Sequence, residues 1–152
     1  MNKYDEVTQQ QLAANRRTLS QLERAWGKTH SKLLPALARL ADLHFVLEDY
    51  GNAELLYWRT LSISCKGYGD HHPMVASSLK HIAEALHAQG RFDEAERLYL
   101  WSFRAKKTTD VVCRLTSLYR EVEAPVKAKW MEDKLENCLS ATVATLQLPV
   151  RS

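Results

Sequence analysis

The sequence predicts an all-α fold, an α-α superhelix of stacked antiparallel helix pairs. Three observations predict it. A stretch of sequence recurs at a fixed offset, and the apolar residues inside it recur at spacings of three and four. The few breakers, five Gly and four Pro, sit at intervals that suit short turns between helices. With 152 residues and 45% apolar content, the chain is long enough for one domain with a real core.

The recurrence is the strongest of the three. Leu37 to Leu43, followed by Tyr50 to Tyr57, matches Leu79 to Ala85, followed by Phe92 to Tyr99. The pairs Leu37/Leu79, Ala41/Ala83, Ala53/Ala95 and Tyr57/Tyr99 are all offset by 42 residues. Chance does not readily keep small, aromatic and aliphatic positions in one register. The offset also works backwards: Trp26-Gly27 corresponds to Tyr68-Gly69, and Arg17-Thr18-Leu19-Ser20 to Arg59-Thr60-Leu61-Ser62. The sequence therefore enters the pattern at the second helix of a unit. Forwards the offset shortens to 33 residues, aligning Ile82, Ala95 and Leu98 with Leu115, Ala128 and Met131. Here Pro125 replaces Phe92, and Glu132 replaces Tyr99. The expected organisation is a single repeat domain over 1–140 and a tail over 141–152. The domain divides into a half unit (8–30), full units (31–69 and 70–108) and a degenerate unit (109–140).

Each unit reads as two amphipathic helices. Val75, Leu79, Ile82, Ala83 and Leu86 fall on one helical face. Pro73 suits the first turn, where its missing N–H costs nothing, and Gly90 marks the stop. The next helix opens on Asp93, Glu94 and Glu96 and closes on Arg104, Lys106 and Lys107, charges that complement its dipole. Ala95, Leu98, Tyr99 and Phe103 form its apolar stripe. The alanines Ala41, Ala53, Ala83 and Ala95 are expected where two helices approach closely, with Tyr57 and Tyr99 filling the wider gap to the next unit. One helix pair cannot bury its own apolar face, so stability comes from units stacked in series.

Several functions find no support. The net charge is +3, and the only tight basic group in the sequence is Arg104, Lys106 and Lys107. Nucleic-acid binding, which favours a clustered basic stripe, is not expected. Met1 to Gln11 is polar and is not a secretory signal. No apolar stretch reaches the length of a membrane span, so a membrane is not an expected partner. Cys65, Cys113 and Cys138 are odd in number and far apart, which argues against a disulfide framework and for a cytoplasmic setting. His71 and His72, with His30 one unit earlier, lack Asp, Glu or Cys at ligand spacing. They read as a recurring helix start, and no metal site is expected. His81 and His87 face different sides of one helix. There is no phosphate loop, nucleophile elbow or His-Glu-x-x-His, so no catalytic or cofactor-binding residue is named and the chain is not expected to be an enzyme.

The pattern of Leu79, Ile82, Ala83, Leu86, Gly90, Phe92, Ala95 and Tyr99 resembles the tetratricopeptide repeat. The longer period, with Tyr68-Gly69-Asp70-His71-His72-Pro73 and Gln89-Gly90-Arg91-Phe92-Asp93-Glu94-Ala95, is similar to the kinesin-light-chain-type variant. The resemblance covers roughly Leu12 to Leu139 and is strongest over the middle two units. It implies a binding scaffold whose concave groove, lined by the first helix of each pair, takes an unidentified protein or peptide. By register the groove residues are Ala38, Asp42, Phe45 and Val46, then Ser77, Lys80, Glu84 and His87, then Cys113, Ser117 and Arg120. Members that clamp a terminal carboxylate use paired Asn and Lys on these faces. Lys80 matches a clamp lysine, but Asp42, Glu84 and Ser117 stand where amides are expected. A carboxylate there repels a terminal carboxylate, which points to a mixed-charge or partly apolar ligand.

Trp58, Trp101 and Trp130 carry two readings, an exposed interface or packing between units. Val143 to Val150 is apolar and β-branched around Pro149, and the first helix, Thr8 to Trp26, has one open side. The tail can fold back as a cap, pair with a second copy or hang free; the favoured expectation is self-association into a homodimer, through an uncapped end or the tryptophan-bearing convex face. The alternative function is a regulatory subunit of a nucleic-acid-linked complex, which needs Lys and Arg to converge on one face.

Overall fold

The structure, a computed structural model, describes residues 3–146, with side chains over 7–137 apart from 135. The chain order is α1 (Lys3–Trp26), a 3-10 turn (Ser31–Leu33), α2 (Leu34–Val46), α3 (Tyr50–Tyr68), α4 (Pro73–Ala88), α5 (Phe92–Ala105), α6 (Thr109–Glu121) and α7 (Pro125–Leu146). No strand occurs among the described residues. The helices form two compact units. Met1–Lys106 holds α1 to α5, and Lys107–Ser152 holds α6 and α7. Residues 147–152, half of the expected tail, lie outside the described residues, as do the side chains of 138–146 in α7.

In the first unit each helix packs on the next, α1 on α2 through to α4 on α5. Ala41, Ala53, Ala83 and Ala95 have no exposed surface at all. Their methyl groups set how closely the paired helices can approach, because a larger side chain has nowhere to go in an interior packed this tightly. Tyr57 and Tyr99 are also buried, as the register predicts. A further cluster joins Leu12 and Leu19 of α1 to Leu33, Leu34, Leu37 and Leu40, and reaches Ile63 on α3. The inner side of α1 is therefore spent on α2 and the turn before it.

The corners between successive repeats within the first unit are built alike. Gly27 and Gly69 close α1 and α3 with φ of +78° and +81°. At Gly69 ψ is 163°, a combination open essentially to glycine alone. A histidine then starts the next helical segment. His30 Nδ1 accepts from the Lys32 N–H at 3.1 Å, and His72 Nδ1 accepts from the Met74 N–H at 3.2 Å. Each imidazole also lies against the last aromatic residue of the preceding helix. The Trp26–His30 ring centroids are 5.1 Å apart, and those of Tyr68–His72 are 4.5 Å apart. These histidines are capping groups.

The turns within pairs share a second device. Gly90 has φ of +75°, and the residues in the same register, Glu48 and Glu123, have φ of 58° and 53°. Helices α2, α4 and α6 are thus each followed two residues on by a left-handed residue, and two of the three positions tolerate a side chain there. Each turn is followed by a proline or aromatic residue that starts the next helix: Tyr50, Phe92 and Pro125.

The second unit is a single pair. Val111, Val112, Leu115, Leu118 and Tyr119 of α6 are buried, as are Ala128 and Met131 of α7. Glu132, in the register position of Tyr99, is half-buried and pairs with Arg120 of α6. An ion pair occupies the place where the preceding repeat puts a buried phenol.

Candidate functional site

The residues assigned to the groove fall on α2, α4 and α6, and the structure divides them by role. Asp42 and Val46 are one turn apart near the end of α2 and both exposed, Val46 by 73%. With Gln11 and Asn15 of α1, and Arg39 and Leu43 of α2, they line one open depression between the two helices. It has an apolar wall of Leu43 and Val46, two primary amides and one charge of each sign. Arg39, Gln11 and Asn15 were not assigned from the sequence. They belong because α1 lies alongside α2, a neighbourhood that the position of the half unit implied but that register alone did not use.

Asp42 also reaches inward. The Tyr57 hydroxyl donates to Asp42 Oδ1 at 2.6 Å. The Tyr57 ring lies 5.1 Å from the His81 ring of α4, centroid to centroid. Burial, then the hydrogen bond and charge of Asp42, then the charge of Glu84, push the Tyr57 phenol above its ordinary value. Tyr57 thus hydrogen-bonds the Asp42 of one repeat and lies within the influence of Glu84, the carboxylate at the same register position in the next.

Phe45 and His87 are used differently. Phe45 meets Tyr50 edge-on at 5.3 Å, and His87 meets Phe92 edge-on at 5.5 Å, again 42 residues apart. His87 also approaches Tyr99 at 6.4 Å. These half-buried rings brace the turn inside each pair while keeping an outer edge open. Ala38, Lys80 and Glu84 are half-buried, and Ser77 is exposed. On α6, Cys113, Ser117 and Arg120 are all exposed. The Ser117 hydroxyl lies 3.5 Å from a Glu121 carboxylate oxygen, and Arg120 is held by Glu132.

The three tryptophans are exposed by 40% (Trp58), 43% (Trp101) and 51% (Trp130). Trp58 Nε1 lies 3.4 Å from a Glu54 oxygen. Its ring shares a second depression with Leu86, Leu98, Arg97 and the Arg91–Glu54–Glu94 ion network. Leu55, one turn before Trp58, is 68% exposed. On α7 the Lys134 ammonium stands 5.3 Å from the Trp130 ring centroid.

Cys65 is half-buried, and burial followed by nearby Asp70 raises its thiol above the ordinary value. Among the described residues no three His, Cys, Asp or Glu side chains are grouped to hold a metal ion. No described helix is long and apolar enough to cross a membrane. The described surface offers open depressions, exposed and half-buried rings and paired charges.

Comparison with known proteins agrees with this fold. The family model described as tetratricopeptide repeat matches residues 32–108, just over half of the chain. No curated protein matches the sequence. Among solved structures, the crystal structure of BtubC (BKLC) from P. vanneervenii is similar with a TM-score of 0.84 at 15% identity. The match covers 97% of this chain and 62% of that one, so this chain spans less than two thirds of the protein it resembles. At that identity the likeness concerns the fold alone.

Proposed function

Given that the chain belongs to the tetratricopeptide repeat family, we propose that it is a non-catalytic scaffold that binds a protein or peptide along the exposed face of α2 and α4. Repeats of this family generally mediate protein–protein interaction. The observation that carries the reading here is the depression of Gln11, Asn15, Arg39, Asp42, Leu43 and Val46. A side chain as apolar and exposed as Val46, beside convergent amides and charges, fits a ligand with an apolar anchor and a polar backbone. Asp42 and Glu84 disfavour a ligand carboxylate on this face, which keeps the expected ligand mixed in charge or partly apolar. Ala38, Phe45, Ser77, Lys80 and His87 extend the surface on the same two helices, and Cys113, Ser117 and Arg120 offer contacts on α6. The thiols of Cys65 and Cys113 are free, in keeping with a reducing, cytoplasmic setting.

The test is selection of peptides from a random display library on the full chain, followed by binding to variants. Val46→Glu and Asp42→Lys should each weaken the selected peptides by roughly tenfold or more, since each change puts a wrong charge in the depression. Trp58→Ala should leave them unchanged. The opposite pattern would move the site to the tryptophan surface.

A second reading, self-association into a homodimer, rests on Leu55, Trp58 and Trp101, exposed apolar groups on α3 and α5. Light scattering across a dilution series tests it. Mass that doubles with concentration and reverts in Trp58→Ala/Trp101→Ala supports it, and constant monomer mass removes it.

A further inference from the structure

The inward side of α1 is occupied by Leu12 and Leu19, packed on α2 and the turn before it. Its outward side carries Arg16, Arg17, Ser20, Gln21 and Arg24, which line a shallow depression with largely apolar walls. The spacing of four and eight residues puts these groups on one helical face about 12 Å long. Long methylene stems make the walls, and guanidinium groups make the rim.

The charge around this face is one-sided. Between residues 7 and 41 there are six bases, Arg16, Arg17, Arg24, Lys28, Lys32 and Arg39, and one acid, Glu23. Glu23 is already spent on Arg59 of α3, at 2.6 Å. Lys32 is placed over the Trp26 ring at 3.3 Å, and Arg16 contacts the His44 ring at 3.4 Å. Arg17 and Arg24 meet no carboxylate among the described residues. The surplus is local, because the rest of the chain holds slightly more acid than base. Sequence inspection for consecutive basic residues passes over it, since the arginines converge only once the helix forms.

We propose that this outward face of α1 is a docking surface for an acidic peptide segment of a partner protein, separate from the surface proposed on α2 and α4. Two features favour a peptide over a nucleic acid. Single-stranded nucleic acid is held by aromatic platforms beneath its bases, and this face presents none. Its walls are aliphatic, which suits the side-chain stems and apolar residues of a peptide. Guanidinium pairs carboxylates in a bidentate fork, so Arg17 and Arg24, two turns apart, can engage glutamates with matching helical spacing.

The test uses the full chain and a fluorescein-labelled twelve-residue glutamate-rich peptide, read by anisotropy. A glutamine-substituted peptide and a single-stranded twelve-nucleotide DNA serve as competing probes. The glutamate peptide should bind and the glutamine peptide should not. Affinity should fall as salt rises, because the contacts are exposed. Arg17→Glu/Arg24→Glu should weaken binding by roughly tenfold or more through charge reversal. Arg17→Lys/Arg24→Lys should retain most of it. Circular dichroism melts that match the parent show that each variant folds; Arg17→Gln/Arg24→Gln replaces the reversal if its melt does not. Val46→Glu should leave the glutamate peptide bound, so failure of the α2–α4 reading and failure of this one are told apart. Absence of binding by the parent overturns the proposal. So does equal binding by the charge-reversed variant, or tighter binding of the DNA through the same two arginines.

Discussion

At the start of α3 the Asp49 carboxylate accepts from the side chain of Asn52 at 2.8 Å and from His44 Nδ1 at 2.8 Å. At the same register position before α5 stands Arg91, which caps nothing with its side chain and instead reaches Glu54 and Glu94. A similar exchange occurs further along. Arg59 ties α3 to α1 through Glu23 and to the turn after α1 through the Lys28 carbonyl, whereas its counterpart on α5 is the exposed Trp101. Yet the two pairs bury the same alanines and the same tyrosine. The difference teaches which constraint sets the repeat. Helix approach admits one solution and so recurs. Capping and surface pairing admit many, and each repeat uses its own.

The comparison predicts that buried counterparts respond alike and surface counterparts do not. Tyr99→Ala should have the largest effect, about 3–5 kcal/mol, because a ring with no exposed surface leaves a cavity. Tyr57→Ala should cost a similar amount; thermal melts in which one is near-neutral would break the equivalence. Next come Ala95→Leu and Ala53→Leu, each about 1–3 kcal/mol by overpacking. Arg97→Leu, on the exposed side of α5, is the control and should leave the melting temperature unchanged. If Ala95→Leu and Arg97→Leu melt together, the alanines do not set the helix approach.

Asp49→Ala should cost about 1 kcal/mol as a lost N-cap, with Arg91→Ala costing less by the same melt. The Asn52 hydrogen bond, joined by His44, holds the Asp49 carboxyl below the usual carboxylate range against the opposing effect of burial. A depressed value means that this contribution is present above the ordinary carboxylate pKa and lost as pH falls through the lower folded value. The gap between Asp49→Ala and its parent should therefore close in acid. The smallest effect belongs to the left-handed turns. Glu48→Gly relieves a side chain at φ of 58° but loosens the unfolded chain, so the net gain should be about 0.5 kcal/mol. A loss there would mean that the Glu48 side chain contributes more than its strain costs.

Much of the fold was legible because packing is periodic. Ala41, Ala53, Ala83, Ala95, Tyr57 and Tyr99 kept one spacing and are all buried. Pro73 begins α4, and Gly90 ends its turn, as their backbone preferences require. The register carries the turns as well. His30 and His72 read as a recurring helix start and both cap one, and the alignment of Glu48 and Glu123 with Gly90 places the left-handed residues. The candidate site was less legible. Its residues lie on different helices, as with Tyr57 and Asp42 or Asn15 and Val46, and no spacing along the chain encodes a meeting across helices. The α1 arginines were obscured for a related reason: three bases among nine residues look unremarkable until one face collects them.

The corner at Gly69 has one more consequence. An added Cβ there would meet nothing within 4 Å, so space is not what excludes a side chain. What excludes it is handedness, because φ of +81° with ψ of 163° is forbidden ground for an L residue and the reflected equivalent of extended backbone. A D-alanine introduced there by chemical ligation would stand in its own favoured region and narrow the unfolded ensemble. The corner should then gain about 0.4–1 kcal/mol, while L-alanine at the same site loses stability. The bend between repeats is, in this sense, a stereochemical choice that a mirror-image residue could make more firmly than glycine does.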